Sequence, residues 1–498
     1  MKSNIRWLML AVISSALFLI VIDMTVLYTA LPRLTHDLRA SSTEKLWIMN
    51  AYSLTIAGLL PGTGALSDRF GAKKLFTSGL VVFGMASLIA AFAPNPGTLI
   101  SARVVLAIGA AMMMPATLAI VRQAFEDPNE RALAIGIWSA VASGGAALGP
   151  VIGGILLEYY WWGSVFLINV PIVIIAFIFA LTTINKSQSN PSRSFDLLAS
   201  IQIMIGLIGI TLAIKEISKQ APSLETAMIA SVIGIVFIVM FVRRQRRSSV
   251  PIIDFNLLRS YGFATGVATA FVTTAALVGV ELVISQRLQL VVGLSPLQAG
   301  LFILPIPLAS FAAGPLAGIA IPKFGAARIM WISLIFAGLG IFGYLIGFQS
   351  GVLVQITAFA MIGFGIGAAM TAASTSIMFN APEHNAGTAA SIEEIAYEFG
   401  GLIGIAVLGS LMVAIYTASF TLPADVVIPE SIQSGSLQNS IDEALIVAES
   451  LKGDAALSLA RAAKQAFDSS ILSVLTVAGV MLLLCAVVIV FFARRQHD

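Results

Sequence analysis

The chain is a succession of long apolar runs separated by short polar breaks. Runs lie near 7–31, 46–66, 75–94, 98–121, 133–157 and 163–185, then near 197–214 and 226–242, and last near 262–288, 298–321, 327–346, 352–377, 388–417 and 469–492. Most approach the ~20 residues that a helix needs to cross a bilayer. Lipid offers no partner to a backbone N–H or C=O, so such runs predict helices, which satisfy their own backbone. The pattern predicts an all-α polytopic membrane protein with fourteen transmembrane helices. The first run follows Lys2 and Arg6, as in a signal peptide. It continues to Pro32 without a small-residue cleavage pattern and is read as a membrane helix.

Composition agrees with this reading. Of 498 residues, 58% are hydrophobic and 11% charged, against roughly 25% charged in soluble proteins, so most of the chain cannot face water. The cations set the orientation. Eighteen Lys and Arg, among them Arg69, Lys73, Lys74, Arg122, Arg131 and the group Arg243 to Arg247, fall on the side of the N-terminus; Arg33, Arg39, Lys45, Lys215, Lys219 and Arg287 fall on the other. Both termini are therefore expected in the cytoplasm, with the protein multi-pass in the inner membrane. The lone cysteine, Cys485, allows no intramolecular disulfide.

A repeat is visible. Asp68-Arg69-Phe70-Gly71-Ala72 before the third span matches Pro322-Lys323-Phe324-Gly325-Ala326 before the eleventh, and Pro128 matches Pro382, both 254 residues apart. Repeated halves around a central site are a transporter signature. The expected organisation is six, two and six helices: an N-terminal half over 1–190, two inserted helices and a linker over 191–250, and a C-terminal half over 251–498. A long external loop, about 418–468, ends in an amphipathic stretch from Ser440 to Asp468 that is either a surface cap or a gate. The inserted pair is either passive or part of the transport path.

The turn Gly64-Ala65-Leu66-Ser67-Asp68-Arg69-Phe70-Gly71-Ala72-Lys73-Lys74 resembles the signature loop of the major facilitator superfamily. Glycine permits the tight turn, and Asp68 is positioned to cap the next helix. In span five, Gly145-x-x-x-Gly149-Pro150-x-x-Gly153-Gly154 resembles the superfamily's antiporter motif, in which small residues let helices touch and proline bends the helix. Asp23-x-Thr25-Val26 and Ala30-Leu31-Pro32 in span one, with Phe166, Asn169 and Pro171 in span six, resemble the fourteen-helix drug:proton antiporters, and within them the exporters of quaternary ammonium compounds and methyl viologen. The chain departs from the pattern at Ala72, where the family has a basic residue, and at Leu106 and Ala107, where glutamine and glycine usually follow the buried arginine matched by Arg103. The resemblance covers essentially the whole chain. It implies the major facilitator fold and proton-coupled export of lipophilic organic cations. The solutes it implies are dyes, quaternary ammonium biocides and methyl viologen-like dications, and the alternative is another small solute such as an amino acid, a lipid or a neutral drug.

Charges inside spans are costly and mark function. Here they are Asp23, Arg103, Glu281, Glu393, Glu394 and Glu398. An excess of acids suits cations and protons, because a carboxyl in apolar surroundings holds its proton tightly enough for proton and cation to compete. Asp23 and Arg103 fall at similar depths, given a rise of about 1.5 Å per residue, and are expected to pair, either as a structural bridge or as a coupling acid with its modulator. Shifted by the repeat, Glu281 falls one turn beyond Asp23, which would set the two across a central cavity. Glu394 and Glu398 share a helix face. Glu393 shares its face with Tyr397, and at least one of the three acids is expected to be a solvated charge. Tyr28, Trp47, Tyr52, Trp138 and Tyr397 are aromatic candidates for stacking on a flat cation or for packing, and Met113, in the run Met112 to Met114, for an apolar cavity wall or core. Gly64, Asp68, Arg69, Gly71 and the span-five motif are candidates for conformational switching. No phosphate-binding Gly-Lys-Ser/Thr loop or metal-ligand cluster is present, and histidine occurs only at His36, His384 and His497. The chain is thus expected to be no enzyme, to use no cofactor, metal or ATP, to bind no nucleic acid, and to work as a monomer in lipid.

Overall fold

The computed structural model describes residues 3–185, 196–217, 223–248, 251, 255–348, 350–382, 385–423, 426, 440–451 and 453–494, and among them every regular element is helical. α1 spans Ser3–Asp37, α2 Ser42–Phe70, α3 Ala72–Ala91, α4 Pro96–Ala124, α5 Pro128–Tyr159, α6 Ser164–Leu167 and α7 Asn169–Thr183. α8 (Leu197–Ile217) and α9 (Leu224–Arg247) follow. Then come α10 Tyr261–Gln286, α11 Pro296–Ile303, α12 Pro305–Phe324, α13 Ala326–Ile346, α14 Val352–Asn380, α15 Ala386–Ser419, α16 Ile441–Ser450 and α17 Asp454–Arg494. α6 and α7 form one span broken at Ile168, and α11 and α12 one span broken at Leu304, ahead of Pro305. Thirteen spans among the described residues are long and apolar enough to cross a membrane. The remaining long helix is α2, whose middle carries Asn50, Tyr52, Ser53 and Thr55. The face at which α1 begins is called the N-side below.

Local sequence sets the helix starts. Ser41 and Glu44 form a reciprocal capping box on α2, Ser295 and Gln298 another on α11, and Asn95 and Asp127 cap α4 and α5 just ahead of a proline. The repeated turns are alike in conformation. Gly71 (φ 91°) joins α2 to α3 and Gly325 (φ 82°) joins α12 to α13, both in the left-handed region that favours glycine.

The amphipathic stretch from Ser440 to Asp468 of the long loop is helical in two pieces. Gly453 (φ 72°) turns the chain between α16 and α17, and α17 begins at Asp454, well before the predicted membrane span. Ile441, Ala444, Val447 and Ala448 of α16 are buried in the same apolar cluster as Tyr416, Phe420 and Phe467, so this part of the loop is docked on α15 and α17. Arg287 fastens the end of α10 to the same helix, donating to Asp468 Oδ1 at 2.9 Å. Residues 424–425, 427–439 and 452 of the loop lie outside the described ones, as do Lys186, Arg193, Lys219, His384 and His497.

Four apolar clusters organise the packing, the smallest being Ala313, Ala317 and Ala368 between α12 and α14. The largest draws mainly on α1 to α7 and reaches Phe263 of α10, Met378 of α14 and Ala389 of α15; the second draws mainly on α10 to α17, and the third on α8 and α9 with Ala65 of α2. α8 and α9 meet backbone to backbone, since a Cβ on Gly209 would lie 2.8 Å from Gly234 Cα. At the N-side, Asp196 takes a two-pronged bond from Arg244 (2.6 and 3.1 Å), which holds its carboxyl below the usual carboxylate range.

The first six spans are closed against the last six at the N-side by equally close approaches. A Cβ on Gly64 of α2 would collide with Ser391 Oγ and lie 2.7 Å from the Gly387 carbonyl of α15. Gly136 of α5 faces Gly314 of α12 in the same way, its Cβ position 2.9 Å from the Gly314 carbonyl carbon. A side chain at Gly64 would therefore push backbone against backbone. Gly64→Val is expected to favour an N-side-open form. In a cysteine-free background with spin labels at positions 123 and 324, both exposed at the N-side, the distance distribution should shift to longer values than in the parent.

Candidate translocation site

Two groups of buried charge lie inside the bundle. The first is built by α1 to α7. Asp23 of α1 and Arg103 of α4, each 2% exposed, form an ion pair at 2.5 Å. Asn169, the first residue of α7, donates to Asp23 Oδ1 at 3.4 Å and to Ser87 Oγ of α3 at 3.2 Å. Arg103 Nε reaches the Ile48 carbonyl at 3.4 Å, and its guanidinium lies over the Tyr52 ring, 4.3 Å from the centroid. A charge in this setting is tolerable only when paired and hydrogen-bonded, and the pair meets both conditions.

The second group lies on α15. Glu393 is fully buried; its Oε1 accepts from Ser374 Oγ of α14 and, at 2.9 Å, from Tyr397 Oη one turn on. Its Oε2 and the Oε1 of buried Glu394 have no hydrogen-bond partner among the described residues. Glu398 is half-buried, and the fields of Glu393 and Glu398 both reach Glu394. Tyr52, whose ring lies under the Arg103 guanidinium, is buried, and its hydroxyl has no hydrogen-bond partner among the described residues.

Several sequence expectations need correction. Asp68 does not cap the helix that follows it. It crosses to α15, accepting from the backbone N–H of Gly387 (2.7 Å) and Thr388 (3.0 Å) and from Thr388 Oγ1 (2.6 Å), because the N-terminus of α15 offers free donors and the positive end of a dipole. The span-five glycines let two helices touch, as their spacing suggests, and the partner is α1. Cβ atoms on Gly145 and Gly153 would press on Val21 and Val26 of α1, at 3.2 and 3.1 Å, and one on Gly149 would collide with Thr25, whereas Gly154 faces open space. Contact with α12 comes instead from Gly136, from Gly144 against Phe311, and from Ser143, whose Oγ lies 2.8 Å from Ser310 Oγ. Trp138 is buried and bonds Thr117 at 3.0 Å, and Met113 is buried against Gly79 of α3, so both are core rather than cavity wall. Asp23 points to Arg103 and Asn169 and not across to Glu281; Glu281 is half-buried on α10 without a hydrogen-bond partner among the described residues. Arg69 lies over the neighbouring Phe70 ring at 5.2 Å. The side chains of Tyr28 and Pro150 lie outside the described ones.

Arg122 and Arg131 were counted only as loop cations. Arg122 is buried and donates to the carbonyls of Met378 and Ala381 at the end of α14, and Arg131 lies over the Phe379 ring at 5.0 Å. Asp68 and Arg122 thus engage opposite dipole ends on either side of the α14–α15 turn. Nothing in the spacing of these residues announces a partner more than 250 positions away; the acceptors are backbone atoms, which any sequence supplies.

Comparison with known proteins follows the geometry. The sequence profile of the Major Facilitator Superfamily matches residues 13–405. The chain is 38% identical over 483 residues to the methyl viologen resistance protein SmvA of Salmonella typhimurium, covering 97% of each. It is 36% identical over 491 residues to the multidrug efflux pump LfrA of Mycolicibacterium smegmatis, covering 98% of this chain and 96% of the other. The structure of the human organic anion transporter MFSD10 superposes with a TM-score of 0.61 at 14% identity, over 97% of this chain and all of that one, a likeness of fold alone.

The buried pair makes a stability prediction. Arg103→Gln leaves Asp23 without its counter-charge and should cost about 3–5 kcal/mol. Asp23→Asn combined with Arg103→Gln should cost less than Arg103→Gln alone. Melting in detergent checks this; additive losses would count against a coupled pair.

Proposed function

The chain belongs to the major facilitator superfamily, a multi-pass membrane transporter and not an enzyme, and from that premise we propose that it exports lipophilic organic cations in exchange for protons. The reading takes its substrates to be quaternary ammonium biocides, dyes and methyl viologen-like dications. The protein sits in the inner membrane with both termini in the cytoplasm, so the N-side is the cytoplasmic face. The similarity to SmvA and LfrA supports efflux. The observation that carries the chemistry is the acid group on α15, where buried carboxylate oxygens of Glu393 and Glu394 have no hydrogen-bond partner among the described residues.

An acid pair this close titrates as a unit. With a proton aboard, the group is compatible with its apolar surroundings. Without it, the uncompensated negative charge favours an organic cation, and Tyr397 offers an aromatic face nearby. Exchange follows because proton and cation stabilise the same carboxylates and exclude each other. Asp23, already neutralised by Arg103, serves as the electrostatic anchor of the first six spans. Glu281, half-buried and unpartnered, supplies a second negative charge for dications. Asp68 and Arg122 hold the cytoplasmic end shut while the site faces outward, and alternation of the two sets of six opens it.

In weakly buffered detergent solution, adding a dicationic biocide to the wild type should release protons, and Glu394→Gln should abolish most of that release. Drug binding with no proton release would move the assignment to a differently coupled transporter or to a neutral solute. Glu281→Gln should weaken transport of dications more than of monocations, by roughly tenfold if one favourable charge contact of about 1.4 kcal/mol is lost; equal losses for both classes would remove Glu281 from substrate recognition.

A further inference from the structure

The two inserted helices are packed unequally. A Cβ on Gly58 of α2 would lie 2.9 Å from Met204 and 3.0 Å from Ile208 of α8, and one on Gly62 would touch Ser200 at 3.5 Å. Lys215, in the last turn of α8, is half-buried and donates to Asn50 Oδ1 of α2 at 2.6 Å. Small residues of α2 thus seat α8 against the first six spans. α9 packs on α8 and leaves most of its own surface exposed.

At the N-side end the pair forms a cleft of about 510 Å³. Asp196 and Gln202 line it from α8 and the residue before it, and Met240, Arg243, Arg244 and Arg247 line it from α9. The four α9 residues are three or four positions apart and share one helix face. The cleft therefore holds three guanidinium groups against one carboxylate. Asp196 takes both prongs of Arg244, at 2.6 and 3.1 Å, and neutralises that cation. Arg243 and Arg247 are exposed and form no ion pair among the described residues.

The same face of α9 continues away from the arginines as apolar surface. Met240, Val236, Ile233 and Ile229 recede from the cleft at steps of three or four residues, and all four are exposed. From Met240 to Ile229 the helix rises about 16 Å, close to half of the ~30 Å hydrocarbon core. A free phosphate would use only the cationic end. A lipid with its phosphate at the arginines would lay an acyl chain on the apolar track and end near the middle of the membrane.

We propose that this cleft binds an anionic phospholipid of the N-side leaflet, of the phosphatidylglycerol class. Arg243 and Arg247 donate to the phosphate oxygens, and an acyl chain lies along Met240, Val236, Ile233 and Ile229. A basic pocket between membrane helices suits an anionic headgroup. A zwitterionic lipid brings its own ammonium to a cleft that already has an excess of cations, and so binds less well. The site shares no residue with the acid group on α15 and does not depend on the export reading.

The test uses the full chain in detergent, titrated with phosphatidylglycerol, with bound lipid counted by native mass spectrometry. Arg243→Gln and Arg247→Gln should each weaken binding about fivefold, the worth of one cation near an anionic lipid. Arg246→Gln removes the same charge from the same turn at a residue that does not line the cleft, and should leave binding unchanged. Phosphatidylcholine with the same chains should bind less than phosphatidylglycerol, and inorganic phosphate at the lipid's own concentration should not displace it. Equal weakening by all three variants would reduce the effect to diffuse surface charge and overturn the site. Equal binding of phosphatidylcholine would overturn the headgroup assignment, and displacement by inorganic phosphate would replace the lipid with a free anion. A second measurement locates the chain. Phosphatidylglycerol with a photoreactive acyl group should label the peptide of residues 229–240, and the label should fall severalfold in Arg243→Gln/Arg247→Gln. Unchanged labelling there would also overturn the proposal. No readout involves transport, so the export reading stands or falls separately.

Discussion

A charge carried into a membrane-spanning bundle has to be matched there, because the surrounding lipid cannot solvate it and the interior does so poorly. The rest of this molecule is arranged around how each buried charge meets that demand. Asp23 meets it completely: an arginine, an asparagine and the ring beneath the arginine surround it. The acids of α15 meet it only in part. Glu393 is satisfied at one oxygen by Ser374 and Tyr397, while its other oxygen and one of Glu394 have no hydrogen-bond partner among the described residues. An unmet electrostatic demand is a binding capacity, and in the proposed export cycle this contrast separates the structural anchor from the exchanging site.

The seam between the two sets of six is made largely from backbone. Gly64 and Gly387, and Gly136 and Gly314, bring main chains into contact, and Asp68 and Arg122 bind the amides that begin α15 and the carbonyls that end α14. Such contacts combine short range with dipole attraction. They hold only while helix ends and glycines are in register, and a small rotation of one set against the other loses them together. That is the behaviour required of a gate, and it lies on the opposite side of the acid group from the loop helix α16. The docking of α16 on α15 and α17 ties that loop to one set of six.

The inserted pair shows how an addition to a repeated fold can acquire a place in it. α9 contributes a lipid-facing surface, with Met228, Ile229, Val232 and Val236 exposed, whereas α8 is pressed into the glycines of α2. That difference determines which of the two helices is held by the first six spans and which one meets lipid.

The sequence by itself determined the all-helical membrane-spanning class, the repeated glycine turns and the family, because apolar run length and glycine spacing are local properties of a chain in a bilayer. It also named the acids, since a carboxylate within an apolar run is conspicuous, and it placed Glu393 with Tyr397 and Asp23 with Arg103 from helical period and depth. Only the tertiary structure decided partners that meet across helices without a spacing rule. Asp68 capping a helix 319 residues on, the span-five glycines packing on α1, Trp138 and Met113 turning into the core, and Lys215 leaving the loop for the interior all depend on rotation about helix axes and on contacts with backbone atoms. Neither is encoded in the hydrophobic pattern, because every residue type presents the same amide and carbonyl and a helix that is apolar on all faces does not declare which face turns inward.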